Sequence, residues 1–423
     1  MQRKCSMRNL KQSSKLLQSF ILLVLGLEIV FYLFCNDIYL QISGFYIPLV
    51  VMTIASGIWL LKNYWRFNEK SVPFLIFFVA IFLASFDNIQ NNEKGYFFSY
   101  ILLVFMALVL TTMDLDEKEK SFLFHCYLIS GYIIACIIGV VQYRYYELET
   151  RYTIKIGDNP AIDPNYLAGF LIGPFFMSLY YVFKEKYVAR KIIYAISACV
   201  IGFGVFLTES RGGLLSVGVI FLYLLIKEVV KKLKKKEIII LFTFLLGLIA
   251  IVFVLMPKDT LQRMFNIFTW LDGSNKKRFY NWNNAARAIA YHPLFGFGLA
   301  ETGLSFMSVT GVYGVAHNTV LELWGQLGIL AIVALVQVGI LLFSRKGNSY
   351  GQALFIGNMV VSVFISCEAT LVFWINIAFC LIMSKKGVNN ERDDEFFNQC
   401  YHTSIQCRNL PRRVLTKYLR TNV

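Results

Sequence analysis

The chain has 423 residues, of which 57% are hydrophobic and only 16% charged, with 38 Phe and 24 Tyr. Soluble domains hold roughly 45–50% apolar residues, so the composition excludes an ordinary water-soluble fold. The net charge of +15 is spread over short segments between apolar runs rather than gathered on one basic face, which excludes nucleic acid as the expected partner.

The apolar residues fall into runs of about 18–24, long enough to cross a ~30 Å hydrocarbon core as helix. In chain order they predict about twelve spans, near 16–35, 42–61, 72–86, 95–113, 121–142, 165–183, 189–207, 212–230, 238–256, 319–343, 352–367 and 369–383. The third is short and the last two are nearly fused. The expected fold class is all-α, a polytopic integral membrane protein, with a membrane domain over 1–383 and a basic tail over 384–423.

Cytoplasmic loops retain Lys and Arg. Arg3, Lys4, Arg8, Lys11 and Lys15 precede the first span; Lys62, Arg66 and Lys70 follow the second; Lys184, Lys186, Arg190 and Lys191 follow the sixth. Lys231 to Lys236, Arg345 with Lys346, and Lys385 with Lys386 continue the alternation, and only the acidic loop Met113–Lys120 departs from it. Both termini are therefore expected in the cytoplasm of a multi-pass cell-membrane protein, with the loops 142–164 and 257–318 outside. The tail from Arg408 to Arg420 suits anionic membrane lipid. The first apolar run, Leu16 to Cys35, is too long for a signal-peptide core and no Ala-x-Ala-like site follows, so it is expected to remain as a span. No outward loop holds a cysteine pair, and Cys400, His402 and Cys407 fit no zinc spacing. Neither a metal nor a cofactor is expected.

Glu209-Ser210-Arg211-Gly212-Gly213 stands between two apolar runs on the outward side. An arginine at that depth needs an anionic partner or a wet cavity. Two readings stand side by side: a snorkelling Arg211 paired with Glu209, or a guanidinium fork for phosphate oxygens. Asp163-Pro164-Asn165, at the start of the sixth span, reads first as a helix cap and second as part of an outward polar site.

The long outward loop, Pro257–Asn318, is where chemistry can sit. Ser274 is expected to cap a helix from about Asn275 to Tyr291, stopped by His292-Pro293. Phe279, Trp282, Ala286 and Ile289 recur at helical spacing and predict its apolar face. Arg278 shares a face with Trp282, one turn on. Arg287 follows Arg278 by nine residues, which puts the two on opposite faces; a solvated position is its first reading and substrate contact its second. Gly296-Phe297-Gly298 is read as a flexible turn, without the flanking strand and helix that dinucleotide binding requires.

His317 stands at the start of the tenth span with Asn318 beside it. An imidazole with a pKa near ~6.5 suits proton removal from a sugar hydroxyl, whereas capping of the following helix is the simpler alternative. Glu322, Gly325 and Gly328 recur at i+3 steps, predicting a close helix–helix contact with the glutamate on it. Glu322 would there neutralise an arginine or relay a proton.

Taken in order, Asp163-Pro164-Asn165-x-Leu167-Ala168, Ser210-Arg211-Gly212-Gly213-Leu214, Arg278-x-x-x-Trp282, His292-Pro293-Leu294-x-Gly296-x-Gly298 and Ala316-His317-Asn318-x-x-Leu321-Glu322-x-x-Gly325-x-x-Gly328 resemble the O-antigen polymerase and O-antigen ligase superfamily. The resemblance covers about Asp163 to Gly328. It implies a GT-C-like membrane glycosyltransferase that uses neither nucleotide-sugar nor metal and acts outside the membrane on undecaprenyl-diphosphate-linked oligosaccharide. It also implies catalytic roles for Arg211, Arg278 and His317. Arg287, Trp282, Asp163, Asn165, Glu322 and Asn318 are expected to contact substrate, and other polysaccharide-assembly proteins are candidate partners. A polymerase of repeat units, building O-antigen, capsule or exopolysaccharide, is the leading expectation. A ligase moving the glycan to a terminal acceptor, or a transporter of the same lipid-linked glycan, are the alternatives.

Overall fold

The computed structural model describes residues 2–31, 41–42, 45–63, 67–87, 94–145, 152–154, 162–232, 234, 273–299, 302–344 and 348–384. Fourteen α-helices can be labelled among them: α1 (Gln2–Val30), α2 (Ile47–Lys62), α3 (Val72–Asp87), α4 (Lys94–Thr112), α5 (Glu117–Tyr145), α6 (Pro164–Lys184), α7 (Val188–Leu207), α8 (Arg211–Leu224), α9 (Gly273–Tyr291), α10 (Thr302–Thr310), α11 (Thr319–Leu327), α12 (Ile329–Phe343), α13 (Ser349–Ser362) and α14 (Leu371–Ile382). The extended structure among the described residues is one short antiparallel ladder of Gln41–Ile42 with Phe45–Tyr46, which delays the second expected span to Ile47. A helix underlies every expected span except 238–256, which lies outside the described residues, as do 257–272 of the long loop and 385–423 of the tail. Among the described helices five are long and apolar enough to cross a membrane, and the chain is a helical membrane protein.

The centre of the bundle is set by hydrophobicity all round the helix. Every residue of α14 is buried, and so is Leu167 to Leu179 of α6; a helix apolar nearly all round can face either lipid or a protein core, and the burial puts these two inside the other helices. Around them α6 packs on α5, α7, α8 and α13, α14 packs on α4 and α13, and α12 packs on α3. The amphipathic α9 and short α10 pack on α11 at one end.

Two expectations about helix geometry are corrected. The tenth span is not one helix: α11 ends at Gly328, whose φ is +72°, and α12 starts at Ile329. The Gly296-Phe297-Gly298 turn explains the break, because it is a backbone clasp. Phe297 N–H donates to Gly325 O (2.7 Å) and Gly298 N–H to Gln326 O (3.2 Å), while Ile329 N–H donates to Pro293 O (3.0 Å). Carbonyls left without helical partners are thereby satisfied. Gly328 therefore serves the break rather than a helix–helix contact, and Gly325 faces the Phe306 ring. A Cβ on Gly328 would lie 2.0 Å from Leu294 O. Gly328→Ala is expected to cost at least ~2 kcal/mol, from the clash added to the left-handed backbone, seen as a lower unfolding temperature in detergent. Gly218→Ala, with nothing within 4 Å of its Cβ, is the matched control and is expected to unfold at or above the wild-type temperature.

Helix α9 begins at Gly273, so Ser274 lies in its first turn rather than capping it. Its buried stripe is also shifted. Asn281, Asn284, Ala285, Ala288 and Ile289 are buried, Trp282 borders them, and Phe279 and Ala286 are exposed. The spacing i, i+3, i+4, i+7, i+8 holds, but two of its members are asparagines, which a hydrophobicity reading passes over. Asn281 is satisfied by donating to Val315 O (2.8 Å).

Candidate functional site

Four segments converge at the end of the bundle capped by α9 and α10. The first is the start of α6. Asp163 is its N-cap and accepts from Asn165 N–H at 2.7 Å, as the cap reading expects. The nearby backbone of Tyr152 N–H donates to Leu207 O (3.3 Å) and Ile162 N–H to Ile154 O (2.9 Å), tying the loop before α6 to the end of α7.

The second segment is the turn into α8. Glu209 has φ +50°, a left-handed backbone uncommon for a residue with a Cβ. It turns the chain so that Ser210 becomes the N-cap, accepting from Gly213 N–H (3.3 Å), and Arg211 becomes the first residue of the helix. A cation there opposes the helix dipole by ~0.3–1 kcal/mol. A bound anion would offset this unfavourable term, because the helix N-terminus and the guanidinium would both attract it.

The third is α9, whose Arg278 is half-buried and lies over the Phe364 ring, 5.9 Å from its centroid. Gly212 comes against the same side chain, its missing Cβ leaving 2.8 Å to the Phe364 Cβ. Phe364 thus links the Arg211 turn to Arg278, and the expectation that these two segments meet has a physical carrier. Arg287 is exposed on the opposite face. Trp282 donates through Nε1 to Ala316 O at 2.9 Å, anchoring α9 to the residue before His317.

The fourth is the start of α11. Asn318 caps that helix, its Oδ1 accepting from Val320 and Leu321 N–H at 3.1 Å each. The cap is therefore the asparagine, which leaves the His317 ring outside that duty. His317 has φ +50°, and its N–H donates to Glu322 Oε1 at 3.0 Å. Its ring reaches the surface. Partial removal from water, then the Arg278 charge, hold the imidazole below the usual histidine value; Lys277 acts the same way and Asp163 opposes them. Arg278, Asp163 and His317 therefore share one electrostatic neighbourhood. Glu322 is buried, and its Oε1 also accepts from the Ser366 hydroxyl at 2.6 Å.

Sequence reasoning missed the segment 363–370 between α13 and α14, which contributes Phe364, Ser366 and Glu368 to this region. The apolar pattern leaves a single residue, Glu368, between the spans expected over 352–367 and 369–383. The usable signal was Glu368 itself, an ionisable residue inside an apolar stretch. Turn bonds at its two ends, Phe364 N–H to Val361 O (2.9 Å) and Thr370 N–H to Cys367 O (3.1 Å), leave its middle to be held by α11. Thr319 N–H donates to Ile365 O (3.0 Å), the Thr319 hydroxyl donates to the same carbonyl (2.7 Å), and Cys367 N–H donates back to Thr319 Oγ1 (2.9 Å). Tyr166 was missed as well; it lies within electrostatic reach of Glu368, Glu322 and Asp163. Among the described residues no group of three His, Cys, Asp or Glu could hold a metal ion.

The segments that carry Arg211, Arg278 and His317 lie within one stretch of the chain that is also recognisable by comparison. Residues 195–336 match the O-antigen ligase family. The superfamily expected from the motifs is thus the one found, and the O-antigen ligase match contains Arg211, Arg278, Trp282, Arg287, His317, Asn318 and Glu322, with Asp163, Asn165, Phe364 and Glu368 outside it. A ComP-specific O-oligosaccharyltransferase of Acinetobacter baylyi is 23% identical over 401 residues, covering 88% of this chain and 68% of that protein. An uncharacterised protein of Haemophilus influenzae is 25% identical over 346 residues, covering 72% and 81%. A chain from the solved structure of a peptidoglycan synthase complex aligns with a TM-score of 0.41 and 12% identity over 75% of this chain and 97% of that one, a likeness too loose to argue from.

Proposed function

We propose that the protein is an inverting membrane glycosyltransferase that joins undecaprenyl-diphosphate-linked oligosaccharide repeat units into a surface polysaccharide. The observation that carries the reading is the convergence of two arginine segments on Phe364 beside a histidine held below its usual pKa. In this reading Arg211 and Arg278 hold the donor diphosphate, whose charge grows as the sugar–phosphate bond breaks. His317 takes the proton of the acceptor hydroxyl as that oxygen attacks the anomeric carbon from the opposite face. One displacement inverts that carbon and releases lipid diphosphate. The arrangement needs no metal, since the guanidinium groups offset the leaving-group charge.

The proposal carries the topology with it: about twelve spans in a GT-C-like arrangement, both termini cytoplasmic, the loops 142–164 and 257–318 outside, and a basic tail over 384–423 on the inner lipid surface. Asn165 and Trp282 are proposed to border the sugar, with Asp163 tuning His317. Arg287, Asn318 and Glu322 have weaker support as substrate contacts, the first being exposed away from Arg278 and the other two engaged with backbone N–H groups.

A ligase that passes the glycan to a terminal acceptor is the second reading. It is favoured by the family description and by the relative that is named an O-oligosaccharyltransferase. Reconstitution in liposomes with lipid-diphosphate oligosaccharide in the outer leaflet separates the readings by mass. Polymerase predicts products of two or more repeats with lipid diphosphate released and no other acceptor added. Products formed only after a terminal acceptor is supplied would establish the ligase, and translocation without any new glycosidic bond would remove both.

A further inference from the structure

Beneath His317 lies a second carboxylic acid that the proposed chemistry does not use. Glu368 is buried, comes from the non-helical segment between α13 and α14, and lies within hydrogen-bonding reach of Glu322. Two carboxyl groups so placed have no donor between them unless one carries a proton, and two buried negative charges in contact repel strongly. The surroundings say which one is the acid. Glu322 receives the His317 N–H at 3.0 Å and the Ser366 hydroxyl at 2.6 Å, two donors suited to a carboxylate. Glu368 Oε2 is buried and receives no hydrogen-bond donor among the described residues. A buried oxygen that receives no donor is far less unfavourable on a neutral acid than on an ion. The other titratable groups near the pair are Cys367 on the same segment and Tyr166 at the start of α6, neither of which carries a positive charge, and His317, whose N–H is bonded to Glu322 and whose ring is held toward its neutral form.

The consequence falls on His317. Its left-handed backbone persists only if the surroundings over-determine it, and the bond from its N–H to Glu322 is what fixes it. We propose that Glu368 is a positioning residue: it holds the single proton of the Glu322–Glu368 pair, donates it to Glu322, and so keeps Glu322 ionised as the anchor of the His317 backbone. The catalytic benefit of this anchor rests on the reading of His317 as the base; the shared proton does not.

The test uses the full chain in lipid nanodiscs. Glu368→Gln replaces the O–H donor by an N–H donor of nearly the same shape. It is expected to keep kcat within about twofold, while the carboxylic-acid carbonyl band that the wild type shows at neutral pH is lost in the variant and therefore appears as a positive band in the wild-type-minus-variant infrared difference spectrum. Glu28, another buried acid, is unchanged in that subtraction. Glu368→Ala removes the donor and is expected to lower kcat about 10- to 100-fold, as sub-ångström misplacement of a reacting group does, with KM for the lipid-diphosphate donor little changed. The proposal is overturned if Glu368→Gln removes no acid band, if Glu368→Ala keeps wild-type kcat, or if Glu368→Gln is as impaired as Glu368→Ala. Where Glu368→Ala does not fold, the band and kcat of Glu368→Gln decide. An active His317→Asn enzyme would instead remove the base reading and leave the infrared result standing.

Discussion

His317→Asn is expected to lower kcat by about a hundred- to ten-thousandfold, the range typical of a positioned general base, or ~3–5.5 kcal/mol of barrier. Asparagine is the informative replacement. His317 has φ +50°, a conformation that Asn tolerates better than Ala, and its backbone N–H remains to bond Glu322. Loss of activity then reports the imidazole rather than a collapsed turn. The pH dependence gives the second arm. Withdrawal from water and the Arg278 charge favour the neutral ring, so the histidine is ready to accept a proton at pH 7, and its folded-state value lies below the ordinary ~6.5. The wild-type rate should therefore stay flat through pH 7 and fall only as the pH drops below that ordinary value. The residual activity of His317→Asn should lack this acid limb. Wild-type kcat in the variant, measured as lipid-diphosphate release, would end the base assignment.

How much of this was legible beforehand follows from which forces sequence pattern reports. The spans were readable because lipid requires runs of apolar residues, and helices lie under all of those that fall in the described residues. The polar segments that carry Arg211, Arg278 and His317 stood out because charged groups are expensive at a membrane surface. What pattern did not report was the backbone. The split of the tenth span at Gly328 depends on carbonyls of α11 being taken by Phe297 and Gly298 N–H groups, a contact between segments about thirty residues apart that no periodicity encodes. The buried face of α9 was shifted because Asn281 counts as polar in any scale, yet it is buried once Val315 O accepts its amide. Phe364 was hidden for the opposite reason: one more phenylalanine in an apolar run carries no signal until Arg278 is found above its ring.

The two arginines are expected to differ in a way that equal loss of activity would conceal. Arg211→Ala and Arg278→Ala should each lower kcat about a hundred- to a thousandfold, the scale of removing one group that stabilises a developing anion. Lysine should restore little at either position, because an ammonium cannot present the paired N–H groups of a guanidinium to phosphate oxygens. Arg287→Ala, on the exposed face of α9, should stay within about twofold of wild type. The distinction lies in the pH profile. Arg278 is among the charges that hold His317 low, whereas Arg211 is not. Removing Arg278 lets the imidazole bind its proton more readily, so the acid limb should move to higher pH in Arg278→Ala and stay in place in Arg211→Ala. Asp163→Asn should move the limb the other way, since Asp163 favours the charged ring. These shifts are moderated by solvent screening, because the His317 ring reaches the surface, and they should shrink as salt is added. An acid limb that ignores Arg278 would mean that the histidine and this arginine do not act at one site, and the single-site mechanism would fall with it.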